Sequence, residues 1–378
     1  MRPSPPPPPT SITSRRREAP PRSTYLVVGT GWRAEPYLRL AAMLPDRFAV
    51  TGVVARSQAS QERVRRDWGV EVHADLDAAL AAERPDFVVL SVPWPVTPVL
   101  VRRLVELGLP VLTETPPAPD LDGLHSLWGD VGGSGLVQVA EQYALMPLDA
   151  ARLTLVAEGV IGTPGSVLVS STHLYHAVAM MRSYLGVGAD EPVEVVGRSY
   201  GATLVDPLTP DGWTYDEAPR PAQTVLAALD FGRGRVGRYD FTDNQWWNPL
   251  RPDHLLVRGS AGEIADTTVV HLADATTPVT SRLERVSTGV GMDYQGLELT
   301  HLTFEGRVVW RNDFLGARLT DDDLGVAVLL DRTAAWVRDG GAGPYTLREA
   351  SQDHAVGLAI EQAVATGEIV RVERQPWA

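Results

Sequence analysis

The run Tyr25-Leu-Val-Val-Gly-Thr-Gly-Trp-Arg-Ala34 constrains this chain more than any other segment. Four apolar residues lead into Gly29 and Gly31, and a helical pattern continues to Leu44. That order predicts a strand, a tight turn and a helix N-terminus. Gly29 permits the turn, Gly31 lets backbone close on a diphosphate, and Ala34 lets helix and strand pack closely. The unpaired N–H groups that open the helix then face an anion. A lone G-x-G-x-x-A is equally an ordinary turn, but here the following residues complete a βαβ unit, and dinucleotide binding is the reading they favour. Thr30, Trp32 and Arg33 would line the same turn.

Downstream, Phe48–Ala55 reads as a buried parallel strand and Gln58–Trp68 as a helix. Leu76–Ala82 is a short helix opened by Asp75, and Phe87–Val92 is a continuous apolar strand. A helix over Val96–Leu107 follows, then strands at Pro110–Thr113 and Leu136–Ala140. Strands alternating with helices at this spacing predict a doubly wound parallel sheet, an α/β fold. After Pro147 the rhythm changes. A helix over Leu148–Glu158 leads to Gly162-Thr-Pro-Gly165, a strand over Ser166–Leu174 and a helix over His176–Leu185. From Val193 to Trp310 the pattern is of short alternating strands, an antiparallel sheet with one face solvated or paired to a partner. Helices over Asp321–Arg338 and Leu347–Thr366 close the chain. The expected divisions are a disordered proline-rich tail (1–23), a dinucleotide-binding domain (24–146) and a second domain (147–378).

Composition narrows the function. The 378 residues hold no cysteine, which removes disulfides, thiolate nucleophiles and Cys-ligated metals, and suits a reducing cytoplasm. A formal charge of −13 argues against a nucleic-acid or anionic-membrane binder, and no apolar run is long enough to span a bilayer. Arg15-Arg16-Arg17 lacks the apolar stretch of an export signal. His73, His125, His254, His271, His301 and His354 show no metal-ligand spacing, so no metal is expected.

Arg56-Ser57 follows the second strand, where an Asp or Glu usually binds the ribose hydroxyls of NAD. Without a carboxylate there, NADP is favoured over NAD; Arg56 is alternatively a solvated helix-start residue.

On these residues the chain resembles the glucose–fructose oxidoreductase / inositol dehydrogenase (Gfo/Idh/MocA) family. The resemblance rests on the glycine turn, the Val92-Pro93 turn, the strand end Glu114-Thr115-Pro116, the Val139–Pro147 segment and the His176–Gly186 helix. It implies a Rossmann domain followed by an α+β domain with a large open, mostly antiparallel sheet. It also implies hydride transfer between a nicotinamide and a sugar, cyclitol or related molecule, in homodimers or homotetramers. Two departures stand out. The family's Glu-Lys-Pro carries a catalytic lysine, and this chain has Thr115, whose hydroxyl cannot shuttle protons near neutrality. The family's helix pairs a histidine with an aspartate three residues on, and here His176 is followed by Ala179.

His176 is then the first acid/base candidate, with Tyr143 second and Tyr175 beside them. Tyr143 qualifies if its pKa is lowered; otherwise it is a tyrosine bonded to backbone. Glu114, Thr115, Gln142 and Trp94 would position nicotinamide or substrate, with Val92 and Pro93 at the same strand end. His173, Trp246 and Trp247 are substrate-binding candidates, the two indoles sitting in Asp243-Asn-Gln-Trp-Trp-Asn248 with amides suited to hydroxyls. Arg182 could meet a substrate anion or sit in an ion pair. Two other functions stay open: a redox-neutral oxidoreductive glycosidase or lyase on tightly bound NAD, and a cofactor-binding scaffold or regulator that has lost catalysis.

Overall fold

Six parallel strands in the order β3-β2-β1-β4-β5-β6 form the first layer of the computed structural model, which describes residues 21–289 and 296–378. They are β1 (Ser23–Val28), β2 (Phe48–Val54), β3 (Val72–His73), β4 (Phe87–Leu90), β5 (Val111–Thr113) and β6 (Val137–Val139). Their connections are α1 (Glu35–Met43), α2 (Gln58–Trp68), α3 (Leu76–Ala82), α4 (Thr97–Glu106) and α5 (Leu121–Val131). Continuous apolar runs suit strands covered on both faces. Tyr25, Val27, Phe87 and Val89 pack into one core, and Leu26, Val28, Val88 and Leu90 into another on the opposite face. The strand order reverses between β1 and β4, so their carboxyl ends open a crevice there.

Helix starts follow their caps. Ser57, Asp75 and Asp120 each accept a backbone N–H of the first turn of α2, α3 and α5. The α5 helix was not expected. Asp120 before Leu121, Leu124, Leu127 and Val131 was a readable signal, masked by Pro116–Pro119 and two glycines.

Beyond β6 come α6 (Pro147–Ala157), β7 (Pro164–Ser170) and α7 (Leu174–Leu185). The strand expected to reach Leu174 ends at Ser170, because the chain turns into α7 with Leu174 at φ +37°. Then follow β8 (Val193–Leu204), the small hairpin β9 (Leu208–Thr209) and β10 (Gly212–Trp213), β11 (Arg220–Asp230) and β12 (Val236–Thr242). The last strands are β13 (His254–Gly259), β14 (Gly262–Ala265), β15 (Thr268–Asp274), β16 (Thr277–Thr288), β17 (Glu298–Phe304) and β18 (Arg307–Arg311). Helices α8 (Asp321–Asp339) and α9 (Leu347–Thr366) precede β19 (Val370–Val372). The second sheet has the order β18-β17-β16-β15-β14-β13-β7-β12-β11-β8-β19, antiparallel except between β7 and β12. Several strands are longer than the expected short ones; β8 and β16 run to twelve residues.

One face of this sheet is buried under helices, through Val167, Val169, Val195, Leu229, Tyr239 and Val257. The other is open, with Val196 and Leu226 more than two-fifths exposed. The C-terminal helices reach back to the first sheet. Leu347 and Ala350 of α9 join the core of the parallel sheet, while Arg39 of α1 pairs with Asp323 of α8 at 2.6 Å. Trp377 is buried against Trp128 and His125. Residues 1–20 of the expected tail lie outside the described residues, and Ser23 already belongs to β1. Among the described residues, no helix is long and apolar enough to cross a membrane.

Candidate active site

Gly29 follows β1 at φ +112°, and a Cβ there would lie 1.9 Å from the Ser91 carbonyl oxygen after β4. No side chain fits, so the two strand ends approach only through glycine. Gly31 differs. Its φ of −71° is open to any residue, and nothing lies within 4 Å of the position a Cβ would take. The N–H groups of Thr30, Gly31 and Trp32 find no acceptor among the described residues. Free donors facing open space at a helix start suit a dinucleotide's diphosphate. Arg63 of α2 holds the turn by donating to the Thr30 carbonyl at 2.5 Å. Val92, Pro93 and the half-exposed Trp94 stand at the end of β4, across the crevice. Arg56 is exposed at the end of β2, whereas Ser57 uses its hydroxyl to cap α2.

This geometry separates binding from folding. Gly31→Val should leave the urea midpoint nearly unchanged, since its branches meet no protein atom near Cβ, yet weaken dinucleotide affinity at least about tenfold by blocking close approach. Unchanged affinity in a calorimetric titration would show that the diphosphate lies elsewhere.

At the end of β5, Glu114 accepts the Tyr37 hydroxyl at 2.5 Å and the Arg33 Nε at 3.2 Å. Burial works against the Arg33 charge, but Glu114, Tyr37 and Asp322 more than offset it and raise its pKa. Glu114 therefore anchors the glycine-turn side of the crevice. The Thr115–Pro116 peptide is cis, and Thr115 and Tyr175 line the same cavity.

The centre of the site is a pair that neither motif announces. His176, in the first turn of α7, places Nδ1 2.5 Å from Oε2 of Glu141, just past β6. The Glu141 side chain is 3% exposed, and its other oxygen accepts the Tyr143 N–H at 3.1 Å. A carboxylate facing Nδ1 selects the tautomer protonated there, which leaves Nε2 as the basic nitrogen. Tyr143, Tyr175 and His173 surround the imidazole with ring centroids at 4.8, 4.5 and 5.3 Å.

These neighbours are not proton carriers near neutrality. Burial, opposed in part by a bond to Thr172, pushes Tyr143 up to about 12, so the lowered pKa its catalytic role required is absent. Burial raises Tyr175 still more, with the Thr115 side chain opposing. Burial and the adjacent His176 lower His173 to about 3, and its Nδ1 is buried without a partner. Both tyrosines therefore keep their protons near neutrality, and His173 stays neutral.

Other expected residues are placed differently. Arg182 is not free for a substrate anion: it is 4% exposed and ion-paired with Asp353 and Glu349 of α9. Gln142, expected at the cofactor, is 3% exposed and commits its amide to Asp322 of α8 at 3.0 Å. Trp246 lies edge-on to His173 at 4.7 Å and is 44% exposed; Trp247 is 37% exposed. Sequence reasoning named Glu141 only within its segment. The available signal was an acidic residue just past a strand's carboxyl end in the doubly wound sheet.

Known proteins resemble the chain in its first domain by sequence and along most of its length by fold. Residues 23–138 match the model of the Gfo/Idh/MocA oxidoreductase family, described by its NAD-binding Rossmann fold. None of the curated proteins matches the sequence. Among solved structures, the chain is similar to a myo-inositol dehydrogenase from Corynebacterium glutamicum, at 18% identity and TM-score 0.63 over 94% of this chain and 100% of that one. It is also similar to an oxidoreductase from Agrobacterium radiobacter in complex with NAD+, L-tartaric acid and magnesium, at 14% identity and TM-score 0.65 over 92% and 98%. A third is the WlbA dehydrogenase from Bordetella pertussis in complex with NADH and UDP-GlcNAcA, at 17% identity and TM-score 0.61 over 94% and 98%. These likenesses show a shared fold along nearly the whole chain. Residues 23–138 thus carry the NAD-binding Rossmann domain described by the Gfo/Idh/MocA oxidoreductase model, and the rest of the chain shares its fold with these structures.

Proposed function

We propose that the protein moves a hydride between a nicotinamide dinucleotide and a CH–OH carbon of a sugar, cyclitol or related polyol, with His176 as the acid/base in place of the absent lysine. The observation that carries this is the buried Glu141–His176 contact of 2.5 Å at the strand ends that also present the glycine turn. A dinucleotide would be held by the amides of Thr30, Gly31 and Trp32, with Val92–Trp94 on the opposite wall. Bound there, it supplies the hydride acceptor or donor that no side chain of this chain provides.

The residues do the proton work. In the oxidising direction the substrate hydroxyl gives its proton to His176 Nε2, and Glu141 stabilises the imidazolium that forms. Tyr143 and Tyr175 keep their protons and orient oxygen by donation. Thr115, in the cavity wall with Tyr175, puts a short polar side chain where a lysine would otherwise reach substrate.

The exposed Arg56, with no carboxylate at the end of β2, supports NADP over NAD. We place the protein in the cytoplasm, in keeping with its lack of cysteine. A second copy is proposed to cover the open face of the second sheet, where Arg238 has Nε and Nη2 buried without a partner. Light scattering that finds only monomer would count against that assembly.

The test is a screen of sugars and cyclitols with NAD+ and NADP+, read at the absorbance of reduced nicotinamide. A substrate-dependent rise, larger with NADP+ and reduced by Arg56→Glu with that coenzyme alone, is the expected outcome. Equilibrium dialysis showing uptake of neither coenzyme would end this reading.

A further inference from the structure

The segment from Asp243 to Leu250 is rich in amides and indoles, and the fold uses the two kinds of group differently. Its carboxamides are tied to the scaffold. Asn244 donates to Asp206 at 2.5 Å, Gln245 to the Ser170 carbonyl at 2.9 Å and Asn248 to the Val205 carbonyl at 2.8 Å. The carbonyl oxygens of Gln245 and Asn248 accept the backbone N–H groups of Thr242 and Leu250. Asp243 accepts the Gln223 N–H at 2.8 Å. The expectation that these amides meet substrate hydroxyls is therefore overturned. What the segment leaves available is aromatic area: Trp246 at 44% and Trp247 at 37% exposure, beside Leu250 at 62%.

Through Trp246 this area adjoins the reacting centre. The Trp246 ring meets His173 edge-on at 4.7 Å, and His173 meets His176 at 5.3 Å. The Trp246 Nε1 points to Thr172 at 3.5 Å, which spends the one polar group of that indole on the site wall. The anchored loop continues the wall from His176 to the surface and offers ring faces with few free hydrogen-bonding groups. Such a surface stacks on a flat apolar group, whereas the engaged amides leave the hydroxyls of a sugar ring few partners there.

We propose that Trp246 and Trp247 form a subsite for a flat apolar group carried by the substrate, which makes that substrate an aryl or similar apolar glycoside rather than a free sugar or cyclitol. This rests on the reading of His176 as the reacting centre. It narrows the substrate class: the sugar or polyol ring lies at His176 Nε2, and its apolar substituent lies outward on the indoles.

The test is isothermal titration calorimetry on the coenzyme-saturated protein, with phenyl and methyl glycosides of the same set of common hexoses. A phenyl glycoside should bind about tenfold tighter than its methyl partner, the scale of one well-made ring contact. Trp246→Ala and Trp247→Ala should each remove most of that difference. Trp247→Ala keeps the test decisive if Trp246→Ala, which also loses packing on Phe241, does not fold. Equal affinities within the pairs, or no binding by any phenyl glycoside, overturns the proposal. So does a phenyl preference that survives both variants; a change of oligomeric state in light scattering would then assign the indoles to a second copy. Because the readout is heat and not turnover, failure of hydride transfer leaves the phenyl preference intact, and turnover of free sugars without that preference removes the subsite alone.

Discussion

Replacing His176 by alanine is expected to lower kcat/KM for the hydride-transfer reaction by about 10²–10⁴-fold, the usual worth of a positioned acid/base. Coenzyme affinity should stay within about twofold, because the glycine turn and His176 share no contact. Glu141→Gln is the sharper variant. It preserves shape, but a carboxamide can present N–H to Nδ1 and so stabilise the tautomer with Nε2 protonated, which cannot accept the substrate's proton. Its loss should approach that of His176→Ala, and the double variant should be little worse than either, as expected for residues acting as one unit. The pH dependence has a definite sign. Alcohol oxidation releases a proton, so its rate should rise with pH while the reverse reaction slows, and His176→Gln, which removes the acceptor, should be slow at every pH tested. Activity of both single variants within threefold of the original would remove the pair from the mechanism.

Arg182→Met should cost about 3–5 kcal/mol of folding stability, the range for breaking one side of a buried ion pair. The guanidinium is 4% exposed and joins α7 to α9 through Asp353 and Glu349, while Tyr345 also donates to Asp353. Asp353 is fully buried. Burial lifts it to about 6 even though Arg182 and Tyr345 pull the other way, so removing the cation should lift it further. A carboxyl whose folded pKa lies above its unfolded value contributes stability below the unfolded pKa and loses it as pH rises toward the folded one. The variant's deficit should therefore be larger at pH 7.5 than at pH 5. Urea denaturation at the two pH values checks both statements; a loss below 1 kcal/mol, or one that shrinks as pH rises, would show that the charge is not held as described.

Much of the architecture was readable because its causes are local. Helices α2, α3 and α9 run over the expected residues, each bounded by a capping side chain and a spacing that needs no distant partner. Gly29 announced its turn because no other residue accepts that backbone beside Ser91. The apolar runs of β1 and β4 announced burial on two faces, which permits few arrangements besides a parallel sheet under helices. Errors fell where tertiary packing overrode local pattern. The strand after Pro164 stopped four residues early, because Leu174 turns the chain into α7.

Residue types and backbone requirements determined the doubly wound sheet, the dinucleotide turn and a histidine-bearing helix start, since each is a property of a short stretch of chain. Only the folded molecule decided which groups act. It set Glu141 against His176 across 35 residues, Arg182 against Asp353 across 171, and withdrew the amides around Trp246 from solvent. Hydrogen bonds and ion pairs are short-ranged and directional, so their partners are chosen by how helices and sheets dock, which no local pattern in the sequence specifies.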